Sequence, residues 1–170
     1  MFRKMRRFRQ QLPQEEAELI LRSSTSGVLA LLGDDDYPYA LPMSHVYHNG
    51  KLYFHGAMDG HKADAVRRHP KASYCVIAQD DVVPHRFTAL YRSVIAFGRV
   101  REVESDEEKR DAIMALAKHY GAQHMPRGEA EIQQTWKRLM MIALDIEHMT
   151  GKESRELMAD RERARAKEYH

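Results

Sequence analysis

The stretch Tyr39-Ala40-Leu41-Pro42-Met43-Ser44-His45-Val46-Tyr47-His48-Asn49-Gly50-Lys51-Leu52-Tyr53-Phe54-His55-Gly56-Ala57-Met58-Asp59-Gly60-His61-Lys62 reads as two strands, a hairpin and the start of a helix. Asn49-Gly50 is the hairpin signal, because both residues tolerate the positive φ angles of a tight two-residue turn. After it, Leu52 and Phe54 fall on one strand face and Tyr53 and His55 on the other. Gly56 and Gly60 then allow the close backbone path of a short strand-to-helix connection. The helix that follows opens with unpaired N–H groups at its positive dipole end, and Lys62 adds a full charge beside them. That arrangement can hold a phosphate.

Working outward, Pro13 to Ser23 reads as a helix with proline suited to its first turn. Strands are expected over Gly27 to Gly33, Tyr39 to His48, Lys51 to His55, Ala72 to Gln79, Phe87 to Val103 and Met140 to Ile146. A helix from Gly60 to His69 stops before Pro70. Ser105 or Asp106 caps another, with Ile113, Leu116 and Ala117 inward. Gly121 to Gly128 reads as a link into a helix carrying Ile132, Trp136 and Leu139. Six hairpin-linked strands with few parallel crossovers predict a mainly β fold with connecting helices, an antiparallel barrel that is closed or partly closed. Its open edges and apolar outer faces call for a second copy across a two-fold axis.

The 170 residues suffice for one domain, and the net charge is only +2. The sequence divides into a basic arm over 1–12, a core domain over 13–150 and a polar helix or tail over 151–170. The arm holds Arg3, Lys4, Arg6, Arg7 and Arg9 without an acid; it reads as a solvated lead into the first helix, RNA or anionic lipid being the alternative partners. No nucleic-acid partner is expected of the chain as a whole. No apolar segment has the length of a membrane span or the flanks of a signal peptide, which makes the cytoplasm the expected compartment. Cys75, the single cysteine, lies in a strand-like run and reads as an inert thiol.

Pro42 interrupts an otherwise regular strand, so either it protects a sheet edge or neighbouring backbone groups face something other than a strand. A planar heterocycle suits the second reading, with Met43 or His45 over a ring face. A metal site is not expected: His45 and His48 point to opposite faces, and His119 and His124 have no cysteine or carboxylate at ligand spacing.

Gly27-Val28-Leu29-Ala30-Leu31-Leu32-Gly33, Tyr37-Pro38-Tyr39-Ala40-Leu41-Pro42-Met43-Ser44, Tyr53-Phe54-His55-Gly56-Ala57, Gly60-His61-Lys62 and Arg92-Ser93-Val94-Ile95-Ala96-Phe97-Gly98-Arg99 together resemble the pyridoxamine-5'-phosphate-oxidase-like flavoproteins. The nearest branch contains the nitroimidazole-reductase resistance proteins. The resemblance implies a six-stranded split β-barrel, homodimeric, with FMN at each subunit junction. It sets the isoalloxazine edge against Leu41, Pro42, Met43, Ser44, His45 and Val46, and the phosphate near Gly60, His61 and Lys62. Tyr91, Arg92 and Ser93 approach the cofactor from one subunit or the other, Arg92 through paired N–H donors. His55 matches a histidine near the flavin and is the candidate catalytic residue, a satisfied strand histidine being the alternative. Trp136 is either a lid over the site or part of the core. His45 stands where an aromatic such as tyrosine is expected. The segment Glu168-Tyr169-His170 is too short and polar for the substrate segment of a vitamin B6 oxidase.

The implied function is flavin-dependent reduction of a small planar acceptor, nitroaromatic or quinone-like, with NAD(P)H. The alternatives are a flavin store or sensor without turnover, and a haem-binding protein.

Overall fold

Pro13 has no backbone N–H to leave unpaired, and it caps helix α1 (Gln14–Ser23), accepting from the Ala17 N–H at 3.1 Å. Ala17 and Leu21 face inward from α1 onto a seven-stranded sheet. In this computed structural model, which describes residues 1–168, the strands are β1 (Ser26–Leu32), β2 (Pro38–Ser44), β3 (Val46–His48), β4 (Lys51–Ala57), β5 (Lys71–Val83), β6 (Thr88–Glu102) and β7 (Leu139–Glu153). They lie in the order β2-β1-β5-β6-β7-β4-β3, every pairing antiparallel. Tyr169 and His170, which end the polar C-terminal run and the short segment weighed against a B6 oxidase, lie outside the described residues.

The strand expected over Tyr39 to His48 is two strands, which raises the count from six to seven. His45 breaks it: its N–H bonds the Thr25 carbonyl at 3.2 Å instead of a ladder partner, and its ring turns inward. β2 and β3 are the two outermost strands of the sheet, so one residue joins its opposite edges and the sheet is curled. Asn49 and Gly50 make the hairpin at φ 50° and 77°.

Alternation sorts the strand side chains into two cores. Leu52 and Phe54 pack inside the curl with Leu29, Tyr74, Val76 and Val94. Tyr53 joins Val46, Ile113, Leu116 and Met141 on the other face, beneath α3 (Asp106–Gly121) and α4 (Met125–Thr135). Each large apolar side chain removed from water contributes about 1.5–3 kcal/mol. Ser105 caps α3 by accepting from the Glu108 N–H at 3.3 Å. Glu108 then anchors the helix: Arg101 donates to it at 2.7 and 3.0 Å and the Tyr53 hydroxyl at 2.9 Å, which holds its carboxyl down at about 2. The expected link from Gly121 to Gly128 is helical instead. A short 3-10 turn (Ala122–His124) runs straight into α4, where Pro126 sits in the first turn and its missing N–H costs nothing.

Helix α2 (His61–Arg68) follows β4, and β7 continues to Glu153 before α5 (Arg155–Glu168). The basic arm is docked along the end of β7. Leu12 N–H donates to the Gly151 carbonyl at 3.0 Å, Gln11 bridges to Lys152, and the Phe2 ring stacks on His148 at 4.6 Å. Among the described residues no helix is long and apolar enough to cross a membrane.

Candidate functional site

Gly60 precedes α2 at φ 95°, a backbone state that side chains resist, and among the described residues no side chain caps the helix behind it. The first N–H groups of α2 are thus left open at its positive end. Lys62 lies back across Gly56 of β4, where an added Cβ would stand 2.8 Å from its Cε. Its ammonium meets only the Met43 sulfur, at 3.8 Å, and no carboxylate among the described residues. Burial pushes its pKa down. An unpaired, half-buried cation at an uncapped helix start is a cradle for an anion, and of the expected site residues the fold brings Met43, Gly60 and Lys62 together there. His61 is engaged elsewhere. Its ring stacks on Tyr39 at 4.1 Å, and its Nε2 accepts from the Asp34 N–H at 3.4 Å. Arg68 also pairs with Asp34 and holds that carboxyl below its ordinary range.

Pro42 lies on an edge strand paired on one side only, with β1. Along the segment Leu41 to Val46 the exposed positions are Pro42 and Ser44; Met43, His45 and Val46 are buried and Leu41 packs partly on the first core. His45 is 0% exposed. Its Nε2 donates to the Leu21 carbonyl at 2.9 Å, and its Nδ1 faces the Tyr74 hydroxyl at 2.9 Å, which also reaches the Met43 carbonyl at 2.7 Å. The ring expected over a flavin face is therefore used inside the barrel, leaving the backbone of this segment as its contribution to the open edge.

Burial lowers the His45 pKa below its ordinary 6.5, with His119 adding in the same direction and the Leu21 carbonyl opposing. The unfolded ring binds a proton more readily, so stability is full above pH 6.5 and is lost as pH falls from there toward the folded pKa. The urea midpoint is expected to drop between about pH 7 and 5, and to drop less in His45→Gln. Equal slopes in the two proteins would remove His45 from that account.

His55, beside Gly56 in β4, points to the opposite face from Lys62's resting place. It opens onto a cleft of about 440 Å³ between β4 and the α3–α4 pair. Ile113, Tyr120, Met125 and Ile132 supply apolar wall; His124, Arg127 and Glu131 stand at its polar side. Desolvation, then the charge of Lys62, lower the His55 pKa against the opposing pull of Glu131, so the ring stays neutral over a wider range. Sequence reading missed the first turn of α4, and with it Met125 and Arg127 of this wall, because Gly121 to Gly128 looked like a link. Trp136 does not line this cleft: it packs on the second core with Lys109 and Arg110 over its ring at 4.6 and 4.9 Å.

Tyr91, Arg92 and Ser93 are not brought to this corner within one chain. Arg92 pairs with Glu153 and His55 with Met141, twelve residues apart on β7, roughly 40 Å of extended strand. There, Arg92 Nε donates to the Glu153 carboxylate at 3.2 Å and Lys152 lies over the Tyr91 ring at 5.3 Å. The intervening outer face of the sheet exposes Val28, Ile95 and Phe97 among polar neighbours such as Ser73 and Thr150. Pro42, Val28, Cys75 and Ile95 form one cross-strand row, and Ala30, Ser73 and Phe97 the next. Burial raises the Cys75 thiol pKa, the direction that disfavours the thiolate.

Residues 13–153 match the family model described as pyridoxamine 5'-phosphate oxidase. Among solved structures, a candidate 5-nitroimidazole antibiotic resistance protein from Bacteroides thetaiotaomicron is 21% identical, with a TM-score of 0.68 over 84% of this chain and 85% of that one. An FAD- and haem-binding protein from Mycobacterium smegmatis is 22% identical, with a TM-score of 0.73 over 86% and 74%. An FAD-binding protein from Mesorhizobium loti is 24% identical, with a TM-score of 0.60 over 84% and 94%. At these identities the likeness is one of fold. No curated protein matches this chain.

Proposed function

We propose that this chain, which belongs to the pyridoxamine 5'-phosphate oxidase family, is a cytoplasmic FMN-dependent oxidoreductase acting as a homodimer. It takes reducing equivalents from NAD(P)H and passes them to a small planar acceptor, nitroaromatic or quinone-like. The observation that carries this reading is Lys62, a cation without a carboxylate partner among the described residues, held over Gly56 at the uncapped start of α2. A flavin's phosphate satisfies both the charge and the open N–H groups. When bound, the flavin supplies the electron-transfer chemistry; the chain's residues bind, orient and shield.

The edge strand β2 offers backbone donors and acceptors around Pro42 and Ser44 to the isoalloxazine rim. His55 faces a cleft whose size and apolar wall suit a small planar acceptor. As a neutral imidazole it can pass a proton or orient the acceptor by a hydrogen bond. The separation of Arg92 from the His55 end of β4 within one chain supports a second copy. An antiparallel partner on the Val28, Cys75 and Ile95 face covers exposed apolar surface and supplies its own Arg92 segment to each site. Haem is the second reading, favoured by the same accessible, neutral His55; a Soret band on adding haemin, lost in His55→Ala, is its signature.

The full chain is expected to be dimeric, to bind FMN, and to lose the flavin absorbance on anaerobic mixing with NADH or NADPH. A monomeric, colourless protein that gives no heat with FMN overturns the reading. Dimeric flavoprotein that resists bleaching is a store or sensor instead. His55→Ala is expected to keep FMN affinity within about twofold while turnover falls at least about tenfold.

A further inference from the structure

The basic arm and the first turn of α5 enclose a second pocket, about 490 Å³, on the side of the sheet where Arg92 lies. Arg6, Arg7, Arg9 and Arg155 line it together with Phe8 and Met158, and among the described residues no acidic one does. Among the described residues none of the four arginines pairs with a carboxylate; the side-chain contact recorded for Arg7 is the Gln10 amide oxygen at 3.5 Å. Arg155 is also the first residue of α5, at the helix end where a cation is least favourable. Four like charges around one space repel, and an anion there relieves all of them at once.

The surroundings narrow the kind of anion. Phe8 is 69% exposed and lines the pocket together with Met158. Cationic groups interleaved with an open aromatic suit a phosphorylated nucleoside, the phosphates on the guanidiniums and the base on the ring. Gln10 forms the inner wall and is only 5% exposed. Its amide N–H groups span the Glu153 carbonyl at 3.0 Å and the Tyr91 hydroxyl at 3.5 Å. The Ser154 N–H bonds the Tyr91 carbonyl at 3.0 Å. The pocket is thus one side chain away from Tyr91-Arg92-Ser93. Glu153, the carboxylate between them, is already shared by Arg92 and Arg161 and is not available to neutralise the arm.

We propose that this pocket binds the phosphorylated adenosine portion of a dinucleotide. Two sources share that chemistry: the adenylate of FAD, and the adenosine phosphates of the electron donor. The proposal rests on the flavoenzyme reading only in placing Tyr91-Arg92-Ser93 beside a cofactor, and its probes bind without flavin chemistry.

The experiment is calorimetry on the full chain and on an Arg6→Gln/Arg9→Gln/Arg155→Gln variant, with ADP and adenosine 2',5'-bisphosphate as probes and FMN, FAD, NADH and NADPH as the comparison set. At least one adenosine phosphate is expected to bind, and to lose about tenfold or more in the variant, while FMN changes by less than about twofold. A preference of FAD over FMN that vanishes in the variant identifies the flavin as the source; NADPH over NADH identifies the donor. Affinity is expected to fall with salt, less steeply in the variant. Phe8→Ala is expected to weaken ADP but not inorganic pyrophosphate. Because the arginines lack partners, the variant's melting temperature is expected to match or exceed that of the parent chain. Three results each overturn the proposal: no adenosine phosphate binding, equal loss of FMN and ADP in the variant, or a variant that loses only single-stranded RNA or anionic vesicles. Absence of FMN binding with ADP binding intact overturns the flavoenzyme reading and leaves this one standing.

Discussion

Glu153→Ala is expected to lower the free energy of unfolding by about 3 kcal/mol, a fall in melting temperature of about 6–12 °C for a chain of this size. The side chain is 0% exposed, and its two oxygens take Arg161 Nε at 2.7 Å and Arg92 Nε at 3.2 Å. Removing it leaves the two cations facing each other without the buried carboxylate that held both. Among the described residues Arg161, 15% exposed, then retains only Glu16 at 3.8 Å. Arg92 is 35% exposed and can turn partly to solvent, which places the expected cost at the lower end of the usual range for a broken buried pair. Substituting both partners, Glu153→Leu with Arg161→Leu, is expected to hurt less than Glu153→Ala alone, since no buried charge is stranded on α5. Urea unfolding of the three proteins checks this. A loss below about 0.5 kcal/mol for Glu153→Ala would mean that the cluster is no more than a surface network.

The same residue shows where sequence reading stops. Glu153 belongs to a run that looks almost wholly polar, and polarity alone predicts exposure; it is buried because Arg92 from β6 and Arg161, eight residues on in α5, close on its carboxylate while Gln10 from the N-terminal arm takes its backbone carbonyl. Features set by near neighbours were legible. The alternation of Leu52, Tyr53, Phe54 and His55, the Asn49-Gly50 turn and the Ser105 cap follow from spacing and side-chain chemistry within a few residues, and the fold contains all of them. The break at His45 was not legible, because the strand pattern runs through it. Its cause lies in the Tyr74 hydroxyl and the Leu21 carbonyl, which only the folded barrel brings to the ring. The α4 start was hidden for a different reason: Gly121, Pro126 and Gly128 are all turn formers in isolation, yet helix packing through Ile132 holds the segment helical. For the site, Lys62 and the open helix start were readable as an anion cradle. What was not readable is that Gly56 serves as empty space rather than as a hinge.

That space makes the second large effect one of binding rather than folding. Gly56→Ala places a methyl group against the Lys62 ammonium and 2.8 Å from its Cε. The clash falls on the far end of a flexible side chain, and Gly56 has no positive φ to forbid a side chain, so the lysine swings aside and the strand stays. The melting temperature is expected to move little, alanine being no worse than glycine in a strand interior. FMN affinity is expected to fall about ten- to a hundredfold, the loss of one charge-assisted contact of about 1.5–3 kcal/mol. Lys62→Met should lose a similar amount, and the double variant little beyond either single one, because both act on the same ammonium. Gly98→Ala is the contrast: there the new Cβ stands 2.9 Å from the Asp145 backbone carbon, at a register shift between β6 and β7. Backbone on both sides cannot yield, so that substitution is expected to destabilise the fold itself. Fluorescence titration with FMN alongside thermal unfolding separates the two outcomes. If Gly56→Ala binds FMN as tightly as the parent chain, Lys62 is not the phosphate's partner, and the uncapped start of α2 loses the charge that made it a site.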